Sequence, residues 1–237
     1  MRYYLRDVVI EVTRRCNMCC EHCLRGDAQN LDIDTAYIDK LLEHCSSIGH
    51  ITFTGGEPSL NVQAIEYTLN KCKQLNISVG GFFIATNGKA NIEALAMASL
   101  RWYAYCEEKE CCSIAMSKDM FHDYVDDGNA DLLKGLSFCT DEKVTDFDRA
   151  PLLNEGRAKE LKGFNKRELF SNNAMLDIEL YDDNYDVDSL VYLSANGELR
   201  DDCDTSYDNT QHTVGNLRNE SMLDVIDRHY RLYNCAA

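Results

Sequence analysis

Residues 7–23 read Asp7-Val-Val-Ile-Glu-Val12-Thr-Arg-Arg-Cys16-Asn-Met-Cys19-Cys20-Glu-His22-Cys23, a β-branched run that breaks into a loop rich in cysteine. The run predicts a strand, because branched side chains pack well on a pleated surface. The alternation continues downstream. Tyr37, Ile38, Leu41, Leu42 and Cys45 recur at helical spacing behind Asp32 or Asp34 as a cap. His50-Ile-Thr-Phe-Thr54 is a second strand, and a helix over 61–74 puts Ile65, Leu69 and Cys72 on one face. A strand over 79–86, a helix over 92–105, a strand over 111–116 and a helix near 120–136 follow. Four strand–helix units in succession require parallel strands joined by right-handed crossovers, in an open sheet or a barrel. Past Ser137 one or two more units are expected, with 155–169 as the next helix.

The chain has 237 residues, 45% of them apolar, and carries 24 Lys plus Arg against 40 Asp plus Glu, a net charge of −16. The apolar share suits a packed α/β domain. The acidity argues against a protein that tracks nucleic-acid phosphates or an anionic membrane surface. Charges interrupt Met1-Arg-Tyr-Tyr-Leu-Arg-Asp7, so no secretory segment is read there. No stretch approaches the ~18 apolar residues of a membrane span. A cytoplasmic location follows, and in that reducing compartment the twelve cysteines point to metal binding or catalysis rather than disulfides.

Cys16, Cys20 and Cys23 have the spacing C-x₃-C-x₂-C. Three thiolates on one short loop can hold three irons of a cubane cluster and leave the fourth iron open to a ligand. A zinc knuckle completed by Cys19 or His22, or plain buried thiols, are the alternatives at this point. Three further motifs also follow strands: Thr54-Gly-Gly-Glu57-Pro58, Thr86-Asn87-Gly88 and Ser117-Lys-Asp119. Consecutive glycines admit a close backbone approach, and a carboxylate beside them suits an ammonium group. Taken singly, each is an ordinary turn or cap. In a parallel sheet, however, the C-terminal strand ends lie on one face, so connectivity gathers all four segments around one site.

The pairing of Cys16-x₃-Cys20-x₂-Cys23 with Gly55-Gly56-Glu57-Pro58 resembles the radical S-adenosylmethionine (radical SAM) superfamily, over roughly residues 5 to 170. The resemblance implies a partial (β/α)₆ TIM-like barrel. It also implies a [4Fe-4S] cluster held by Cys16, Cys20 and Cys23, with SAM chelating the open iron. Gly55, Gly56 and Glu57 would then hold the methionyl ammonium, and His22 would contact adenine. Asn87 and Ser117 would touch ribose or carboxylate, and Arg157 in Gly156-Arg157-Ala158 would contact the SAM carboxylate. One electron from the reduced cluster would cleave SAM to a 5′-deoxyadenosyl radical, which takes hydrogen from the substrate. An apolar barrel wall would shield that chemistry. An electron donor such as flavodoxin or ferredoxin is implied as a partner.

The last quarter changes character. Residues 177–208 hold eleven acids against one base, Arg200, and so carry −10 of the total charge. Leu190–Leu193, Asn196-Gly197 and Glu198–Arg200 predict a hairpin, and Met222, Val225, Ile226, Tyr230 and Tyr233 predict a helix capped by Ser221 and Asp224. This tail resembles the SPASM or twitch extension of the same superfamily, but Cys203 and Cys235 are its only cysteines, too few for an auxiliary cluster. Two units are therefore expected: 1–176, the partial barrel, and 177–237, a truncated β-hairpin plus helix extension packed on it. Cys45 and Cys72 are expected in helix-borne core positions, and one of Cys111 and Cys112 in the core. Cys203 and Cys235 are candidate hydrogen donors. The acidic stretch is a solvated face that would draw a basic peptide, with binding weakened by salt. The expected function is hydrogen abstraction from a peptide or protein residue, leading to a cross-link, an epimerisation or a related change. Glycyl-radical activation, a small-molecule substrate and, remotely, a zinc-binding interaction module are the alternatives.

Overall fold

The computed structural model describes residues 1–140, 143–144, 151–169 and 174–235, the side chains of 143, 144 and 233–235 excepted. β1 (Tyr3–Thr13), α1 (Thr35–Leu42), β2 (Cys45–Gly55), α2 (Val62–Leu75), β3 (Ser78–Thr86), α3 (Ile92–Tyr105), β4 (Cys112–Lys118) and α4 (Asp127–Lys134) alternate as the sequence predicts. The two-residue β5 (Lys143–Val144) follows, then the isolated pair β6 (Leu152–Leu153) and β7 (Lys166–Arg167). β8 (Ile178–Tyr181), β9 (Asn184–Leu193), β10 (Glu198–Arg200), β11 (Thr213–Asn216) and α5 (Met222–Cys235) complete the chain. The main sheet runs β11-β10-β9-β1-β2-β3-β4-β5, with β8 against β9. β9 through β5 are all parallel, and the sheet stays open, as in a partial TIM-like barrel.

Alternation along the strands sorts the core. Val8, Ile10 and Val12 of β1, Ile51 and Phe53 of β2, and Phe82 and Ile84 of β3 join one apolar cluster with Leu41, Ile65, Leu69, Leu95 and Trp102 from the helices. Trp102 is fully buried and satisfies its indole N–H on the Ile65 carbonyl at 3.2 Å. The opposite face carries the register row Tyr192, Val9, Thr52, Phe83 and Ser113, with Glu11 paired to Thr54. That wall mixes hydroxyls and a carboxylate with apolar groups, whereas an apolar wall was expected.

Three further expectations change. Cys45 is the first residue of β2, not the end of a helix, because β1 reaches back to Tyr3 and pairs it with Cys45. It is nonetheless buried, as are Cys72 and Cys112, while Cys111 is exposed. The helix expected over 155–169 is a single 3-10 turn, Gly156–Glu160, interrupted by Gly156 and Gly163 at φ +51° and +86°. The third concerns the tail. Its hairpin and its reciprocal Ser221–Asp224 cap form as predicted, with Gly197 at φ +87°. However, β9 is hydrogen-bonded in parallel to β1 from Tyr3↔Tyr185 to Ile10↔Leu193, so residues assigned to an extension supply the neighbour on β1's second edge. Among the described residues no helix is long and apolar enough to cross a membrane.

Candidate functional site

The cysteines occupy a loop that the fold closes at its base. Arg14 N–H donates to the Leu31 carbonyl at 2.8 Å and Gln29 N–H to the Arg14 carbonyl at 3.0 Å, so residues 14–31 leave and re-enter the sheet edge together. Two inner turns, Cys23 N–H to Cys20 O and Gly26 N–H to Cys23 O, fold the cysteines back on one another. Cys16, Cys20 and Cys23 are half-buried and Cys19 is exposed. Burial pushes the Cys16 thiol up, and burial with the nearby Cys16 and Cys23 pushes Cys20 up to about 11. Both thiols must therefore shed a proton to bind a metal.

Glycines let neighbouring segments press against this loop. A Cβ on Gly55 would lie 2.1 Å from Thr13 O, and one on Gly56 would lie 2.3 Å from Arg15 O. Gly56 N–H and Glu57 N–H donate to those same carbonyls at 2.8 and 2.9 Å. The space vacated by the two glycines is thus filled by the chain's own backbone just before Cys16. From the other side Gly156 fits beneath Cys23–Gly26, and Arg157 N–H donates to Cys23 O at 2.9 Å.

Glu57 is buried and faces inward. Its carboxylate accepts from Thr86 Oγ1 at 2.6 Å, Asn87 N–H at 2.7 Å and Ser59 N–H at 3.1 Å. Burial raises its pKa, and these donors oppose the rise. The clamp fixes Asn87, whose side-chain amide lies 2.7 Å from Asn17 Oδ1 and 4.0 Å from Cys16 Sγ. Arg157 Nη1 approaches Cys19 Sγ at 2.6 Å. Together Cys16, Cys19, Cys20, Phe121, Asp123 and Arg157 line a cavity of about 640 Å³ at the C-terminal ends of the strands. His22 stacks on Phe121 with centroids 4.7 Å apart, and its Nε2 lies 3.4 Å from Asp119 Oδ2. His122 holds the other oxygen of Asp119 at 2.7 Å. Burial lowers the His22 pKa against the pull of Asp119, favouring a neutral ring.

Ser117 sits in β4 two residues before Asp119, and it is Asp119 that meets the cysteine loop, through His22. Thr86, Phe121 and His122 were not singled out as site residues by sequence. Thr86 lay within a strand-end motif whose partner, Glu57, is twenty-nine positions away. The tail supplies a further contact that no local pattern announces. Tyr207 N–H donates to Arg25 O, Arg25 Nη1 to Thr205 O, and buried Arg200 holds the carbonyls of Ser206 and Tyr207. Cys203 lies half-buried near Arg25, its thiol pushed up to about 11 by burial. The Cys235 side chain lies outside the described residues.

A set of thiols, a carboxylate clamp and a guanidinium thus gather at the C-terminal strand ends of an open parallel sheet, the face on which α/β folds bind ligands. Residues 10–105 match the model of the radical SAM superfamily, whose members use a [4Fe-4S] cluster and SAM. It is similar to a probable GTP 3′,8-cyclase of Methanopyrus kandleri, 39% identical over 70 residues (28% of this chain, 23% of the relative). It is also similar to an uncharacterized protein of Methanocaldococcus jannaschii, 31% identical over 71 residues (29% and 25%). The match thus spans about a quarter of either curated relative. In fold it is similar to anSMEcpe solved with bound AdoMet and Cp18Cys peptide, with TM-score 0.50 and 12% identity over 95% of this chain and 80% of that one.

The site fits such a cluster. Zinc bonds to sulfur at about 2.3 Å, which sets the thiolates of a tetrahedral site under about 4 Å apart. Among the described residues the one trio of potential ligand atoms all within 4.8 Å of one another comes from His22, Asp119 and His122, not from the cysteine loop. The loop thiols do not form such a trio, and three thiolates on one loop are the number that a cubane with one open iron takes.

Proposed function

We propose that this chain is a cytoplasmic radical SAM enzyme in which Cys16, Cys20 and Cys23 hold a [4Fe-4S] cluster and SAM occupies the cavity beside it. The observation that carries the reading is the gathering of half-buried Cys16 and Cys20 with Arg157 around one cavity, with the Asn87 amide, fixed through Glu57, beside Cys16 Sγ. Once loaded, the cluster and SAM supply one-electron cleavage of a sulfonium bond and a primary carbon radical able to take hydrogen from unactivated C–H. The protein's own part is positioning. Glu57 locks the ends of β2 and β3 so that Asn87 presents its amide toward Cys16 and the SAM beside it. Gly55 and Gly56 let the turn close on the cysteine loop, leaving the rim of that turn for the methionyl ammonium. Neutral His22, backed by Phe121, offers a ring face to adenine. By its place near the end of β4, Ser117 would touch the ribose or carboxylate of SAM.

A peptide or protein residue is the substrate class we favour, with cross-linking or epimerisation as the outcome. In support, the fold over 95% of this chain is similar to that of a structure solved with bound AdoMet and a Cp18Cys peptide. A flavodoxin or ferredoxin would supply the electron. Anaerobic reconstitution tests the reading: about four irons and four sulfides per chain, and 5′-deoxyadenosine from SAM and dithionite, are expected. One zinc without sulfide would defeat it.

A further inference from the structure

Asp119 and His122 have no part in the proposed function, yet a turn after β4 presents them together. Asp119 O accepts from His122 N–H at 3.2 Å, and Asp119 Oδ1 accepts from Phe121 N–H at 2.8 Å. His22 reaches them from the cysteine loop. One ring nitrogen from each histidine and one carboxylate oxygen all lie within 4.8 Å of one another. His22 Nε2 stands 3.4 Å from Asp119 Oδ2, long for a hydrogen bond to a carboxylate. It matches the edge of a tetrahedron, since two donors about 2.0–2.2 Å from one ion stand roughly 3.3–3.6 Å apart. A ring rotation within one rotamer well closes the remaining separation. His122 Nδ1 is buried 2.7 Å from Asp119 Oδ1, yet it makes no hydrogen bond among the described residues. The Asp119 side chain is only 3% exposed, against 18% and 15% for the two rings. Among the described residues no lysine or arginine pairs with that carboxylate, and a carboxylate so buried is costly without a cation.

We infer that His22, Asp119 and His122 bind one divalent cation of the zinc class, which pins the cysteine loop to the end of β4. Two imidazoles and a carboxylate are a donor set that zinc accepts, with water in the fourth position. The ion sits at the edge of the His22 ring and leaves its stacking on Phe121 in place. Cys23 follows His22 directly, so the ion also fixes the backbone beside one of the three loop thiols. The inference goes beyond the proposed function and needs neither the cluster nor SAM.

The test is anaerobic dialysis of the reconstituted full-length chain against a small excess of zinc chloride. Zinc, iron and sulfide are counted per chain in wild type, Asp119→Asn and His122→Gln. Zinc outranks ferrous iron on such ligands, so it displaces any iron left there. Wild type should hold one zinc beside about four irons. Each variant should lose that zinc and keep its iron and sulfide; His122→Gln carries the test alone should Asp119→Asn not fold. A wild type with its cluster intact and no zinc overturns the inference. Zinc held equally by all three chains also overturns it, since the ions are then scattered over the acidic surface. Zinc taken up with loss of iron and sulfide places the ion on the cysteine loop and equally overturns it. A wild type without sulfide whose zinc count falls by one in His122→Gln defeats the proposed function instead and leaves this site standing.

Discussion

Gly156→Ala probes how tightly the cysteine loop is built. An added Cβ would stand 2.4 Å from Leu24 O and 2.5 Å from both Cys23 O and Gly26 N. All three are backbone atoms, so no side chain can swing away, and φ +51° already disfavours alanine. Gly163 provides an internal control, since it has φ +86° but nothing within 4 Å of its would-be Cβ. The left-handed backbone costs about 1–2 kcal/mol for a non-glycine residue, offset by about 0.4–1 kcal/mol from a stiffer unfolded chain. Gly163→Ala should therefore cost about 1 kcal/mol. Gly156→Ala adds the overpacking of a closed site, about 1–3 kcal/mol, for a total of about 2–4 kcal/mol. Urea unfolding of the reduced chain measures both. If the loop shifts locally instead of destabilising the whole, iron uptake on reconstitution falls in Gly156→Ala alone. Equal stability and equal iron in the two variants would refute the close approach of 156 to the loop.

Replacing Cys16, Cys20 or Cys23 by Ala should remove four-iron assembly and SAM cleavage, read by iron and sulfide analysis and by 5′-deoxyadenosine; retained product in Cys20→Ala would reassign the ligands. Glu57→Gln turns an amide N–H toward either Asn87 N–H or the Thr86 and Ser59 donors, costing about 1–3 kcal/mol for the unmet pair and loosening Asn87, so SAM affinity should drop while the cluster persists. Because burial raises the Glu57 pKa in the folded chain, its stabilising share is complete below the usual glutamate range and declines as pH rises through the raised value; melting curves across that window should slope less in the glutamine variant. A chain ending at residue 176 loses β9 and bares the full edge of β1, so it should aggregate rather than melt cooperatively.

The alternation of strands and helices was legible up to β4 because each element there has its own period: branched alternation in β1, a 3.6-residue stripe in α2 and α3. Cys45 was misread because a residue shared by the end of one apolar stripe and the start of the next has no local signature. The stretch from 155 to 169 misled because its composition suits a helix while two glycines at positive φ set its path. Connectivity alone anticipated that the cysteine loop and the turns after β2 and β3 adjoin, as they do through Gly55, Gly56 and Asn87. What connectivity does not report is which way a side chain turns. Glu57 faces Thr86 and Asn87, and Arg157 faces Cys19. Nor could a local reading find that Arg25 is clasped by Thr205 and Tyr207, since those contacts bridge about 180 positions.

The acidic tail also looks different once its strands have a direction. β9 runs parallel to β1 and begins beside Tyr3, so the β8–β9 turn with Asp182 and Asp183 lies at the end of β1 away from the cysteine loop. At about 3.3 Å per residue, β1 separates that turn from Thr13 by roughly 30 Å. The Debye length at physiological salt is about 8 Å, so these acids exert almost no field at the site. Nearer acids are engaged: Asp201 with His212 and the Met175 N–H, Asp204 with Arg167. The expectation that the acidic run draws a basic peptide to the site, with salt weakening it, therefore does not extend to the carboxylates of the β8–β9 turn. Asp182→Asn with Asp183→Asn should leave the affinity for substrate, and its dependence on ionic strength, unchanged in a titration from low to physiological salt. A flattened salt dependence in that double variant would mean the substrate spans from the cysteine loop to the opposite end of the sheet, and would overturn a recognition site confined to the strand ends.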